Sequence, residues 1–132
     1  MLTNYKILCR VILSCFLFLV SYVSLFAIQL SDSARISLLT VSPGNELYSA
    51  FGHTGIRVTD FKNEFDVVFN YGTFDFAQPG FYTNFIKGKM RYMISTDRFQ
   101  DFMSEYIYEK RSVAELKLNL TPEDKQKVFA FL

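Results

Sequence analysis

Two stretches in the middle of the chain alternate between apolar and polar residues, as half-buried β-strands do. In "HTGIRVTD", residues 53–60, the apolar positions face one way and the other side carries His53, Gly55, Arg57 and Thr59. "FDVVFNYG", residues 65–72, repeats the alternation. The polar stretch "FKNE" between them predicts a two-residue loop on Lys62 and Asn63, because Asn accepts the positive φ that such loops need. The pattern therefore predicts a β-hairpin.

The rest of the chain alternates predicted strands with predicted helices. Alternating or β-rich runs predict further strands within residues 34–41, 89–97 and 112–120. Helical spacing predicts an amphipathic helix within residues 98–111, and a shorter helix within 81–88 ends at Gly88. A last helix begins at Thr121, which serves as N-cap with Pro122 at the first helical position. The predicted fold class is α+β, a small antiparallel sheet with helices packed on it.

The hairpin register decides what surrounds His53, the only histidine in the chain. A loop on Lys62 and Asn63 pairs Gly55 with Asn70, which makes His53 and Asn70 diagonal neighbours on one face. A histidine so placed can act as a general base, with the Asn side chain fixing its tautomer. Gly52 and Gly55 leave room beside the ring for a substrate. The alternative is a polar residue that only closes off a strand end.

The first 27 residues have the features of an export signal. Lys6 and Arg10 precede a long apolar run, and the small residue Ala27 stands near its end. Residues 1–27 are therefore a signal peptide, or a retained membrane anchor. Both cysteines of the chain, Cys9 and Cys15, lie in this leader, so residues 28–132 contain no thiol and no disulfide.

Composition excludes several classes of function. The formal net charge is +1 and no basic block is visible, so we expect no nucleic-acid partner. One His and scattered acids give no metal-ligand spacing, and no glycine-rich phosphate loop occurs, so we expect no metal and no other cofactor. Asp60, Asp66 and Asp75 are interpreted as polar residues of turns and strand edges. The Phe and Tyr residues from Phe74 to Phe85 indicate core and lid packing, or alternatively a carbohydrate platform.

Several blocks in order resemble a known bacterial family. "SLLTVSPGNELYSAFGHTGIRV", "DVVFNYGTFDF" and "FYTNFIKGKMRYMIS" resemble the Lnb N-terminal periplasmic domain, from about Ile36 to the end of the chain. The first block also resembles the His-bearing strand of permuted papain-like proteins, such as the NlpC/P60-type and lecithin:retinol acyltransferase-like enzymes. The resemblance implies an incomplete permuted papain-like fold, with His53 as base and Asn70 as its orienting partner. It also implies that Arg57 either anchors an anionic group or pairs with an acid.

The resemblance implies an exported cell-envelope domain. Its implied chemistry is that of Cys-His amidases and acyltransferases acting on envelope peptides or lipids, but no counterpart of their cysteine is visible in this chain. The last predicted helix stops at Leu132 without an ending signal, so we expect the chain to be a fragment and inactive in thiol chemistry. The alternative function is a non-catalytic periplasmic module that binds a partner or glycan. Expected partners are an envelope substrate or a membrane-associated protein, and the leader inserts into the membrane during export.

Overall fold

The computed structural model describes residues 28–132, and the fold described below belongs to that range. The predicted signal peptide or anchor over residues 1–27 lies outside the described residues and stays a prediction. Within residues 28–132, no helix is both long and apolar enough to cross a bilayer.

Five strands form one antiparallel sheet in the described part of the chain. The strands are β1 (Arg35–Val41), β2 (His53–Asp60), β3 (Phe65–Thr73), β4 (Met93–Arg98) and β5 (Val113–Lys117). Their order across the sheet is β4-β3-β2-β1-β5, so the hairpin of β2 and β3 lies at its centre. Every pairing is antiparallel, and β4 and β5 form the two edges.

The hairpin register agrees with the prediction, although the turn differs. Gly55 pairs with Asn70 and Thr59 with Asp66, which confirms the predicted pairing. The turn is a short 3-10 turn over Phe61–Asn63, and Glu64 rather than Asn63 adopts positive φ, at 54°. The prediction of a two-residue loop was therefore wrong. The Asn63 side chain instead donates to Asp60 Oδ2 at 2.8 Å, which holds it in the turn.

Three helices complete the described residues. They are α1 (Phe81–Ile86), α2 (Phe99–Tyr108) and α3 (Pro122–Phe131). The predicted cap of α3 is confirmed, since Thr121 Oγ1 accepts a hydrogen bond from the Asp124 backbone N–H at 3.2 Å. Gly88, just beyond α1, adopts a φ of 64°, a conformation that glycine takes without steric cost.

The core lies between α2 and one face of the sheet. Strands β1 and β3 contribute Leu39, Val41 and Val68, and α2 contributes Phe102 and Tyr106. Cross-strand partners point to the same side of an antiparallel sheet, so His53, Gly55 and Asn70 share this face with the core residues. The α+β class is confirmed, and α2 forms part of the surroundings of His53.

The opposite face carries α3 near the start of β3. Phe129 of α3 contacts Phe65 with ring centroids 5.4 Å apart. At this end of the sheet the side chain of Asp60 is completely buried. Its carboxylate accepts hydrogen bonds from the Ser31 N–H at 2.7 Å and the Ser31 hydroxyl at 2.6 Å. The sequence-based interpretation of Asp60 as a strand-edge polar residue missed this burial.

Candidate functional site

His53 is the first residue of β2 and stands half-buried at the side of a cleft. It pairs with Val41 on β1, directly after the loop that ends at Gly52. Gly52 has a φ of 79°, and a Cβ at this position would collide with the carbonyl oxygen of Val41. Only glycine fits this close approach, so Gly52 sets the path by which the chain enters β2 and positions the imidazole.

A chain of two hydrogen bonds connects His53 to β4. The ring nitrogen Nε2 of His53 lies 3.0 Å from Asn70 Oδ1 on β3. The amide Nδ2 of Asn70 donates to Asp97 Oδ2 on β4 at 2.6 Å. Asn70 is buried, so the amide is held between two partners instead of being solvated. We call these three residues the His53 relay.

Asp97 determines which way the relay is oriented. An ionised carboxylate only accepts hydrogen bonds, so it requires the NH2 group of Asn70 on its side. The amide oxygen of Asn70 then faces His53, where it can only accept. This partner requires the Nε2–H tautomer of the uncharged imidazole, in which Nδ1 has the free lone pair. A base needs such a lone pair.

Gly55 lies beneath the relay and makes room for it. A Cβ at Gly55 would stand 2.8 Å from a methyl carbon of Val68 and 3.2 Å from Asn70 Oδ1. Gly55 does not line the cleft. We expected it to leave room for a substrate, and the structure places it where it leaves room for the orienting amide.

We expect Gly55→Ala to displace Asn70 and to cost about 1–3 kcal/mol of stability, as overpacking in a core does. The measurement is chemical denaturation together with the NMR signal of the His53 Nε2 proton, which should be lost or exchange faster. Gly88→Ala is the matched control, because nothing lies within 4 Å of a Cβ at Gly88 and its penalty comes from the φ of 64° alone. An unchanged Nε2 proton in Gly55→Ala would contradict this account.

The cleft has a volume of about 190 Å³ and two unlike walls. One wall is aromatic and includes Tyr48, Phe74 and Phe76, whose rings contact each other edge to face. A register shift between Tyr71 and Thr73, at the positive-φ residue Gly72, interrupts β3 just before this wall. The cleft therefore offers an apolar surface beside His53.

The other wall is polar and comes from α2 and the loop after it. It includes Glu105, Glu109 and Arg111, and Asp97 adds a third carboxylate to the lining. Burial raises the pKa of Glu105, and the neighbouring carboxylates of Glu109 and Asp97 raise it further. Because three carboxyl groups and one guanidinium line it, the polar wall carries more negative than positive charge.

Tyr106 and Arg111 also line the cleft. The Tyr106 ring lies nearly parallel to the His53 ring, with centroids 6.4 Å apart. Burial first, and Glu105 next, raise the pKa of Tyr106 to about 12, so it stays neutral. Arg111 donates to the Ser42 carbonyl and to Glu109, each at 2.8 Å, and its Nη2 is buried without a hydrogen-bond partner in the described part of the chain.

Arg57 lies away from the cleft. Its guanidinium donates to both oxygens of Asp66 at 2.8 Å and to Glu115 at 3.2 Å. It also lies 3.3 Å from the ring centroid of Phe99 on α2. Of the two roles considered for Arg57, this geometry corresponds to pairing with acids. It joins β2 to β3, β5 and α2.

No group of three or more His, Cys, Asp and Glu residues within residues 28–132 is arranged to hold a metal ion. The Ser49 hydroxyl, a further polar group of the cleft, donates to the Glu46 carbonyl at 3.1 Å. The chemistry that this arrangement supports best is proton transfer at His53.

The comparison with protein families gives one match. The model of the Lnb N-terminal periplasmic domain matches residues 27–132, which is most of the chain. The chain belongs to the Lnb N-terminal periplasmic domain family. The family is periplasmic, so this is an exported domain of the bacterial cell envelope. No curated protein matches the chain, and no solved structure does.

Sequence analysis of this Lnb N-terminal domain predicted His53 as the base and Asn70 as its orienting partner. Both residues belong to the relay. Sequence reasoning did not identify Asp97, Tyr106 or Arg111 as part of the site. Asp97 could have been found only from the pairing register of β4 on β3. Residues 74–92 separate the two strands, and a connection of that length does not restrict the register. Helical spacing predicted the amphipathic helix that bears Tyr106, but it did not show that His53 lies beside that helix.

Proposed function

We propose that this envelope domain provides the general base of an acyl-transfer or hydrolysis site, and that His53 is that base. The observation that carries the proposal is the relay, with 3.0 Å from His53 to Asn70 and 2.6 Å from Asn70 to Asp97. A side chain that only closed off a strand end would not need a buried amide that is itself held by a carboxylate. Asn70 and Asp97 are positioning residues, because they act through His53.

The proton transfer follows from the tautomer. Nδ1 of His53 takes the proton of a nucleophile as the nucleophile attacks the carbonyl carbon of an acyl substrate. The bond to the leaving group then breaks, and the imidazolium returns its proton to the leaving atom. During this step the ring is a cation, and the nearby carboxylates of Asp97 and Glu105 stabilise it.

The nucleophile is the second component of the proposal. The resemblance to permuted papain-like proteins implies a cysteine, and the two cysteines of the chain lie in the leader. The base can equally act on a thiol supplied from elsewhere or on water, because the role of Nδ1 is the same in each case. The aromatic wall suits an acyl chain or an apolar peptide side chain, both of which occur in envelope substrates.

The test uses the fact that His53 is the only histidine. The full chain is incubated with p-nitrophenyl acyl esters and a small added thiol such as mercaptoethanol, and p-nitrophenol release is compared with that caused by the thiol alone. We expect a saturable excess rate that carbethoxylation of His53 by diethyl pyrocarbonate removes and hydroxylamine restores. The absence of an excess rate, or an excess that survives full modification, would overturn the proposal.

The alternative is a non-catalytic module that binds an envelope ligand in the same cleft. The excess of carboxylates on the polar wall favours a ligand with an ammonium group. This alternative predicts that an amine-bearing ligand shifts the resonances of His53 and Glu105 without any turnover, whereas the catalytic proposal requires turnover.

A further inference from the structure

The segment between β3 and β4 places several large apolar side chains in solvent. Phe76, Tyr82, Ile86 and Tyr92 are exposed by 54–73%. Phe76, Tyr82 and Tyr92 belong to one continuous aromatic cluster, because Phe81 contacts both Phe76 and Tyr82, and Phe74 contacts both Phe76 and Tyr92. Ile86 follows Tyr82 by four residues on α1, so the two lie on the same face of that helix. We call these four exposed residues, with the segment 74–92 that bears them, the 74–92 surface. Ordinary surfaces carry such residues singly and not as a continuous group.

Apart from Asp75 near its start, the charged residues of the same segment have one sign. Residues 76–96 contain no Asp or Glu, and they contain Lys87, Lys89 and Arg91. The three cations are exposed, and none takes part in a salt bridge within residues 28–132. Exposed aromatic and aliphatic side chains beside free cations suit the interface of an anionic bilayer, where the rings sit among the headgroups and the cations meet lipid phosphates.

We propose that the 74–92 surface docks onto the anionic phospholipid of an envelope membrane. The periplasmic location of the family places the domain beside such a membrane. A protein partner with an acidic surface would attract the cations, but its acidity alone would not account for four large exposed apolar side chains. The membrane interface accounts for the charge and the apolar residues together.

Docking has a consequence for the cleft. Phe74 and Phe76 belong both to this cluster and to the aromatic wall beside His53, so the docked domain holds the cleft near the lipid interface. The substrate class is then an acyl group of a membrane lipid. This consequence rests on the proposed function, whereas the docking itself does not.

The test uses the absence of tryptophan from the chain. Ile86→Trp places one fluorophore on the 74–92 surface, and Leu116→Trp places one on β5, at the opposite edge of the sheet from β4. Each full-length variant is reconstituted into phosphatidylcholine vesicles with or without phosphatidylglycerol, so that any contribution of residues 1–27 is the same in every protein. Blue shift of the emission and quenching by brominated acyl chains are then measured.

We expect the Ile86→Trp fluorophore to be quenched and blue-shifted only in vesicles that contain phosphatidylglycerol, and the Leu116→Trp fluorophore to remain unquenched in both. Each basic side chain near an anionic membrane contributes about fivefold, so replacing Lys87, Lys89 and Arg91 with Gln should reduce the docked-to-free ratio about a hundredfold. Replacing three exposed cations elsewhere, Arg35, Lys62 and Lys117, should have much less effect.

Equal quenching of both fluorophores, or none at Ile86→Trp, would overturn the proposal. So would quenching that the Lys87, Lys89 and Arg91 replacements leave unchanged. A blue shift at Ile86→Trp that depends on protein concentration and not on phosphatidylglycerol would identify a second copy of the chain as the occupant and would equally overturn it. Because no reaction is measured, these results are independent of whether His53 is a base.

Discussion

Replacing His53 with alanine should reduce the thiol-dependent ester cleavage by at least about a hundredfold, the lower end of what a positioned general base contributes. The physical reason is that the nucleophile would have to lose its proton to water, without a base held in place. The measurement is the initial rate of p-nitrophenol release over a range of ester concentrations. The loss should fall on kcat and leave KM nearly unchanged, because the aromatic wall that would hold the ester stays intact.

Controls separate this effect from unfolding. Thr54→Ala changes the next residue of β2, which is exposed on the opposite face of the sheet, and it should retain the wild-type rate. Added imidazole should restore part of the rate of His53→Ala, because it can occupy the space that the side chain left. A His53→Ala protein that keeps the full rate, or a Thr54→Ala protein that loses it, would be incompatible with His53 as the base.

The same assay also tests whether Asp97 acts by orienting the Asn70 amide or only supports the structure. Asp97→Ala removes the group that orients the Asn70 amide, so the amide can rotate and present its NH2 group to His53. His53 Nε2 would then accept instead of donate, and the wrong tautomer would predominate. The NMR signal of the Nε2 proton should disappear together with the activity, and a purely structural role of Asp97 would not move that signal.

Asp60→Ala should destabilise the domain by about 3 kcal/mol, the largest change in stability that we expect from a single substitution here. The buried carboxylate accepts hydrogen bonds from the Ser31 N–H, the Ser31 hydroxyl and the Asn63 amide. Removing the acceptor breaks three hydrogen bonds to a charged group and leaves the Ser31 N–H without its partner. The measurement is urea-induced unfolding at neutral pH, followed by circular dichroism.

The contribution of Asp60 should depend on pH in a defined direction. Burial alone would raise the pKa of this carboxyl, but the hydrogen bonds from Ser31, Asn63 and Lys62 outweigh burial and lower it. A carboxyl with a lowered pKa in the folded state stabilises the fold above its unfolded pKa, and this stabilisation is lost as the pH falls through the folded value. The difference between wild type and Asp60→Asn should therefore shrink on acidification.

Asp32→Ala is the matched control for Asp60→Ala. Asp32 follows Ser31 directly but is exposed, so its loss should change the unfolding free energy by less than about 0.5 kcal/mol, as surface substitutions usually do. Equal effects of Asp32→Ala and Asp60→Ala would show that the network around Ser31 does not hold the N-terminal end of the domain.

Much of the architecture was predictable because it depends on local pattern. The alternation in residues 53–60 and 65–72 predicted both central strands, and the short connection left one register that kept the apolar side together. That register alone brought Asn70 to His53. The α3 cap was readable for a similar reason, because Thr121 and Asp124 form a motif within four residues.

The parts that could not be predicted depend on residues that are distant in the sequence. The turn type was missed because the side chain of Asp60 holds Asn63, and the burial of Asp60 depends on Ser31, which lies 29 positions away. For Arg57, the partner Asp66 is a diagonal neighbour in the predicted register, but the second partner, Glu115, lies 58 positions away. The local sequence around Asp60 does not reveal Ser31 as a partner, and that around Arg57 does not reveal Glu115.

The sequence by itself determined the strands and helices, the register of the central hairpin, the meeting of His53 with Asn70 and membership of a periplasmic family. Only the tertiary structure decided that Asp97 orients the amide, that α2 and the residue after it bring Tyr106 and two glutamates into the cleft of the imidazole, and that an exposed aromatic segment lies next to the same cleft. The physical reason is that periodicity and turn chemistry act over a few residues, whereas the order of strands in a sheet and the packing of a helix on it are settled by burial across the whole chain.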